Sequence, residues 1–292
     1  METHEWMIKY TRQSEWIDRR GILLWLAFYS GGLGGGLYLV SLYFNSLWGM
    51  LISWLIIAVL KGGFHFAYLG KPLRFWRIVL RPQTSWLARG FIFVVLFTGF
   101  AAIQLVFSYW LPGTAGEVIF KVLAGIMALA VATYTGFVMN YIKGIPLWNS
   151  ALLPVLFISY GILGGFGLAI IIALSGGQVD LAAAETGSRW LLIINALLIA
   201  TYLWRATLKG SAGKQSVMEQ MQGSVAPIFW LGVVTLGIII PLAIAFSSFF
   251  AGEASAALLI AGVACETIGS LTLRYCILKS GAYRPLLPIS SD

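Results

Sequence analysis

The stretch GILLWLAFYSGGLGGGLYLVSLYFNS, residues 21–46, contains no charged side chain. A bilayer core of about 30 Å needs about 20 apolar residues of helix, so this run is long enough to cross it. Between Ser30 and Leu37 it holds five glycines. In membrane helices small residues let backbones approach closely, or open a slot for a ligand. A phosphate-cradling loop does not fit, because the glycines sit inside an apolar run and do not follow a strand.

Seven further stretches of the same kind lie beyond it, at 47–69, 90–110, 118–142, 151–175, 187–208, 226–249 and 254–279. A tight turn at Asn45-Ser46 separates the first two spans, and Gly, Pro and charge clusters part the rest. The fold expected is an all-α integral membrane protein of eight transmembrane helices. An even number of spans puts both ends on one side, called side A, with side B opposite. No cleavable signal is visible, since residues 1–20 mix acids and bases ahead of the first apolar run.

The composition agrees. Of 292 residues, 59% are hydrophobic and 10% charged, and the mean hydropathy is +0.87. Soluble domains carry roughly 25% charged residues. A cytosolic enzyme, a disordered chain and a nucleic-acid binder are all excluded, because the net charge of +8 reflects scarce acids and no basic stripe. Cys265 and Cys276 are too few for an iron–sulfur cluster or a four-ligand zinc site in this chain. His4 lies in the polar N-terminal tail and leaves His65 as the one imidazole in an apolar segment, which excludes a haem held by two histidines.

The bases are one-sided. Lys9, Arg12, Arg19, Arg20, Lys71, Arg74, Arg77, Arg81, Arg89, Lys143, Arg205, Lys209, Lys214, Lys279 and Arg284 fall on side A, against Lys121 and Arg189 on side B. Glu117, Asp180, Glu185 and Glu253 fall on side B. The positive-inside rule predicts that side A, with both termini and the basic loops, faces the cytoplasm of a cell membrane. The chain also echoes itself. Ser30–Gly36 resembles Tyr160–Phe166, and Asn140–Gly144 resembles Arg274–Gly281. Parallel repeats of four helices each follow, giving bundles at 1–150 and 151–292.

Ionisable and hydrogen-bonding groups inside a membrane are costly and by default suggest function. With 1.5 Å of rise per residue, His65, Tyr134 and Arg274 fall in the half nearer side A, and Tyr29 lies at a similar level. An imidazole, phenols and a guanidinium with an aromatic wall such as Trp25 suit a quinone. Its carbonyls become phenols on reduction, and a histidine exchanges protons near neutral pH. Lys61 and Glu266 lie deeper and have opposite signs. They are expected to pair, as a structural bridge or as a proton route in which Glu266 and His65 exchange protons.

The loop Leu69-Gly70-Lys71-Pro72-Leu73-Arg74-Phe75-Trp76-Arg77, then Arg81–Trp86, Arg89-Gly90, Tyr134–Phe137, Lys143–Ser150 and Leu273-Arg274-Tyr275 together resemble the NrfD/polysulfide-reductase membrane-subunit family. The resemblance covers essentially all eight spans. It implies a quinone-binding anchor subunit (menaquinone or ubiquinone) of a respiratory oxidoreductase. Such a subunit exchanges electrons with a four-cluster ferredoxin-like iron–sulfur subunit docked on side A, which connects to a molybdopterin catalytic subunit. Tyr134 matches a quinone-contacting tyrosine of the polysulfide-reductase branch. That branch has an asparagine and a histidine where this chain has Leu24-Trp25-Leu26-Ala27, and many members have an acid at the position of Tyr68. His65 or Tyr68 is the expected substitute. Familiar members face side A outward, whereas the charges here point it inward, which favours a cytoplasmic iron–sulfur partner. A secondary transporter and a passive anchor are the rival functions.

Overall fold

The computed structural model describes residues 10–251 and 255–286, so His4, Lys9 and Glu253 lie outside the described residues. Eight helices are long and apolar enough to cross a membrane. They are α1 (Gly21–Tyr43), α2 (Leu47–Tyr68), α3 (Trp86–Trp110), α4 (Ala115–Asn140), α5 (Leu152–Leu174), α6 (Leu181–Thr207), α8 and α9 (Ala256–Lys279). A shorter helix, α7 (Ser211–Met221), precedes α8, which is a π-helical run Ile228–Ile239 continued by Ile240–Ala251.

Three spans begin earlier than hydropathy predicts, at Trp86 instead of 90, at Ala115 instead of 118 and, most of all, at Leu181 instead of 187. The cause is capping. Ser85 accepts a hydrogen bond from the Ala88 amide, and Asp180 accepts one from Ala183, so each helix starts outside its most apolar stretch. Ser46 caps α2 in the same way, after the tight turn at Asn45, whose φ is +51°.

The two described ends meet. Gln13 N–H donates to Gly281 O at 2.8 Å, Tyr283 N–H donates to Thr11 O at 2.8 Å, and Lys279 pairs with Asp18. That junction puts both ends on one side, as an even number of crossings requires. The loop at 141–150 and α7 complete a cap over this face. Trp148 donates its indole N–H to Ile277 O at 2.7 Å, Gln220 donates to Ser280, and Arg12 pairs with Glu219 at 2.6 Å.

The glycines of α1 meet those of α5, the segment that echoes them. A Cβ added to Gly36 would lie 1.9 Å from Gly161 O, and one on Gly161 would lie 2.5 Å from Gly32 O. A side chain at either position would separate the helices, so the packing role of the glycine runs is realised as backbone on backbone. Other apolar contacts sort around this seam. Tyr38, Met50, Phe97 and Val131 form one buried cluster on α1–α4. A larger cluster joins Trp148 and Leu153 to Tyr202, Phe229 and Leu273 on α5–α9.

Candidate functional site

On the side where the ends meet, a cavity of about 910 Å³ opens between α2, α3 and α4. Its walls are mainly apolar, including Leu24, Phe66, Phe75, Phe91 and Val94, with Arg77 and Arg81 at its rim. Polar side chains from three helices reach it within the spans: Lys61, His65 and Tyr68 of α2, Thr98 of α3 and Tyr134 of α4. Lys61 and His65 are four residues apart and so share a helix face.

Lys61 ends a π-helical run, Ile56–Lys61, within α2. Such runs interrupt α-helices frequently at functional sites. Its side chain is buried. Nζ donates to Tyr134 Oη at 2.8 Å and to Ala27 O at 3.2 Å, and it lies 4.7 Å from the Tyr134 ring centre. Among the described residues no carboxylate forms an ion pair with it. No Asp or Glu occurs in the sequence between Asp18 and Glu117. A buried ammonium carries a large desolvation cost. Lys61 therefore favours any electronegative oxygen that enters the cavity.

His65 Nδ1 lies 3.0 Å from Lys61 O. A carbonyl only accepts, so Nδ1 carries the hydrogen and the neutral ring keeps Nε2 as an acceptor. The histidine thus takes the backbone-bonded place open to it and still presents one acceptor nitrogen. Glycines make room for the group. A Cβ on Gly31 would lie 2.6 Å from Lys61 Nζ, and one on Gly90 would lie 2.3 Å from the Tyr134 ring.

Of the residues expected to converge, His65, Tyr134 and Tyr68 line this cavity. Arg274, Tyr29, Trp25 and Glu266 do not line it, and they lie toward α5, α6 and α9. Arg274 is buried and donates to Ser270 Oγ at 2.7 Å and to Phe157 O at 3.3 Å, with its guanidinium over the rings of Tyr29 and Phe157. Trp25 donates to Leu271 O and packs on Tyr275. Glu266 accepts from Ser188 at 3.3 Å and borders a separate small cavity with Glu185 and Arg189. The expected Lys61–Glu266 pair is therefore corrected: each has other partners, because α1 and α5 stand between α2 and α9. Depth along a helix gives height but not azimuth. Lys61 is the residue that depth alone misplaces, and its i, i+4 spacing from His65 is the signal that puts it in the cavity.

Among the described residues, eight helices able to cross a membrane, with an apolar-walled cavity between α2, α3 and α4 that carries a buried lysine, a phenol and an imidazole, define a multi-pass membrane protein. The family model described as "Polysulphide reductase, NrfD" matches residues 21–285, and the chain belongs to that family. It is 26% identical to Protein NrfD of Escherichia coli over 263 residues, which is 80% of this chain and 79% of that one. It is 24% identical to a polysulfide reductase chain of Wolinella succinogenes over 167 residues, 55% of this chain and 53% of that one. A tetrathionate reductase subunit of Salmonella typhimurium is 25% identical over 179 residues, 57% of this chain and 50% of that one. The match thus spans about half the length of the latter two relatives.

Proposed function

We propose that this chain is the membrane subunit of an oxidoreductase complex that binds a quinone, menaquinone or ubiquinone, in the α2–α3–α4 cavity and exchanges electrons with an iron–sulfur subunit. The observation that carries the reading is the placement of Lys61, His65 and Tyr134 on an otherwise apolar cavity. The residues fit the ligand. A quinone has an apolar tail and ring with two opposed oxygens, and the cavity offers apolar walls with charged and neutral donors in one region.

A quinone supplies two-electron, two-proton carrier chemistry. Lys61 holds an oxygen through its ammonium, and Tyr134 fixes the direction of that ammonium through their shared hydrogen bond. His65 Nε2 takes a proton from a hydroxyl or returns one to a carbonyl oxygen, with the ring held by Nδ1 against Lys61 O. The apolar walls keep bulk water from the exchange. The iron–sulfur partner, a ferredoxin-like subunit linked to a molybdopterin catalytic subunit, docks on the cap made by both ends, the 141–150 loop and α7.

The test is titration of the purified chain with a short-tailed quinol analogue. Wild type is expected to bind it, and Lys61→Met to weaken binding about 10- to 100-fold, the worth of a hydrogen bond to a charged group. Equal affinity in wild type and variant, or no binding by folded wild type, would overturn the proposal.

A further inference from the structure

The connection between α2 and α3 contains a 3-10 helix, Pro72–Leu80. Three residues per turn bring every third side chain into line, so this helix has three rows. Phe75 and Ile78 form one row, half-buried against the cavity. Leu73, Trp76 and Val79 form the second, with exposures of 92%, 52% and 39%. Arg74 and Arg77 lie on the third, both exposed, and the Arg77 guanidinium sits 5.6 Å from the Trp76 ring centre. Among the described residues no carboxylate pairs with either arginine.

A water-facing connector has no use for the second row. The surroundings show what it meets. Phe66 at the end of α2 and Leu87 and Val95 on α3 are exposed and apolar, and all three also line the cavity. The cavity therefore opens sideways, through the surface that these helices turn to the acyl chains. The exposed row of the 3-10 helix lies beside that opening, at the end of the spans, where hydrocarbon gives way to head groups. Apolar side chains with a tryptophan among them on one row and arginines on the next match that boundary in composition.

We propose that Pro72–Leu80 is a binding element for anionic phospholipid: Arg74 and Arg77 hold the phosphate, and Leu73, Trp76 and Val79 sink beside it among the upper acyl carbons. The 3-10 helix then forms one lip of the sideways opening, with lipid held against its outer surface. An acidic protein is the rival occupant. It would satisfy the arginines, but it would have to cover an apolar row continuous with surface that lipid already covers. The inference does not depend on what occupies the cavity.

The full chain, reconstituted in phosphatidylcholine vesicles, carries a fluorophore at Leu73→Cys. Cys265 is replaced by serine, and Cys276 is buried and stays unlabelled. Equal small fractions of phosphatidylglycerol or phosphatidylcholine, each spin-labelled high on the acyl chain, serve as quenchers. Phosphatidylglycerol is expected to be enriched about fivefold around the probe, in line with the attraction of one basic residue near an anionic lipid surface. The variant Arg74→Gln/Arg77→Gln is expected to lose that preference while keeping quenching by spin-labelled phosphatidylcholine, which shows that the segment remains seated. Equal quenching by the two lipids in the parental chain would overturn the proposal. Quenching only by a water-soluble nitroxide would overturn it in favour of a protein partner.

Discussion

The proposed quinone site turns on one side chain, Lys61. It is 1% exposed, and its hydrogen-bond partners are a phenol and a backbone carbonyl. Tyr134→Phe removes the phenol and leaves the ring. The expected cost is about 1–3 kcal/mol of stability, the penalty of a buried donor with one partner fewer, and it is read as a lower melting temperature in detergent. Affinity for a quinol analogue should fall with it, since the ammonium loses its orientation. Gly90→Ala tests the same contact from the other side. Its new methyl would meet the Tyr134 ring at 2.3 Å and force the ring off its place, so quinol affinity should drop although no polar group has been removed. His65→Gln keeps a donor but loses the ring nitrogen that accepts a proton, and the expected result is slower quinol turnover.

At the scale of elements, the spans were legible in the sequence because lipid imposes one simple demand, an unbroken apolar run. What hydropathy left out was set by polar side chains at the ends: Ser85 and Asp180 extend α3 and α6 by capping them. The π-helical runs at Ile56–Lys61 and Ile228–Ile239 carry no mark in the composition, since both segments are as apolar as their neighbours. Half of the expected site came together for the same reason. Height along the helix put His65 and Tyr134 at one level, but only the packing order decides that Arg274 faces Phe157 and Tyr29 while Lys61 faces Tyr134. The glycine runs yield a paired prediction. Gly36→Ala should destabilise the chain by about 1–3 kcal/mol or more, because its methyl meets the Gly161 backbone and the α1–α5 contact cannot repack. Gly99→Ala, where a Cβ meets nothing within 4 Å, should be neutral or slightly stabilising. Thermal unfolding in detergent separates the two.

Across the whole molecule, the charge excess is an address as well as a composition. Both described ends, the 141–150 loop and α7 share one face, and from the positive-inside rule we propose that this face is cytoplasmic. A reporter active only outside the cytoplasm, fused to the C-terminus, should be silent, whereas one fused within the loop between α5 and α6 should be active. The opposite pattern would move the proposed docking face, and with it the proposed iron–sulfur partner, to the other compartment. The seam between α1 and α5 bears on how such a molecule can work. Gly32 and Gly36 touch Gly161 and Gly165 through main-chain atoms, with no flexible side chain in between to act as a bearing. Shifting one helix past the other by a single residue would bring Leu33 or Leu37 to where only a glycine fits. The two helices are locked in register like the teeth of a closed zip, so a rocking motion that slides one past the other has no joint here to turn on. The proposed electron exchange needs no such joint, and the sideways opening needs none either.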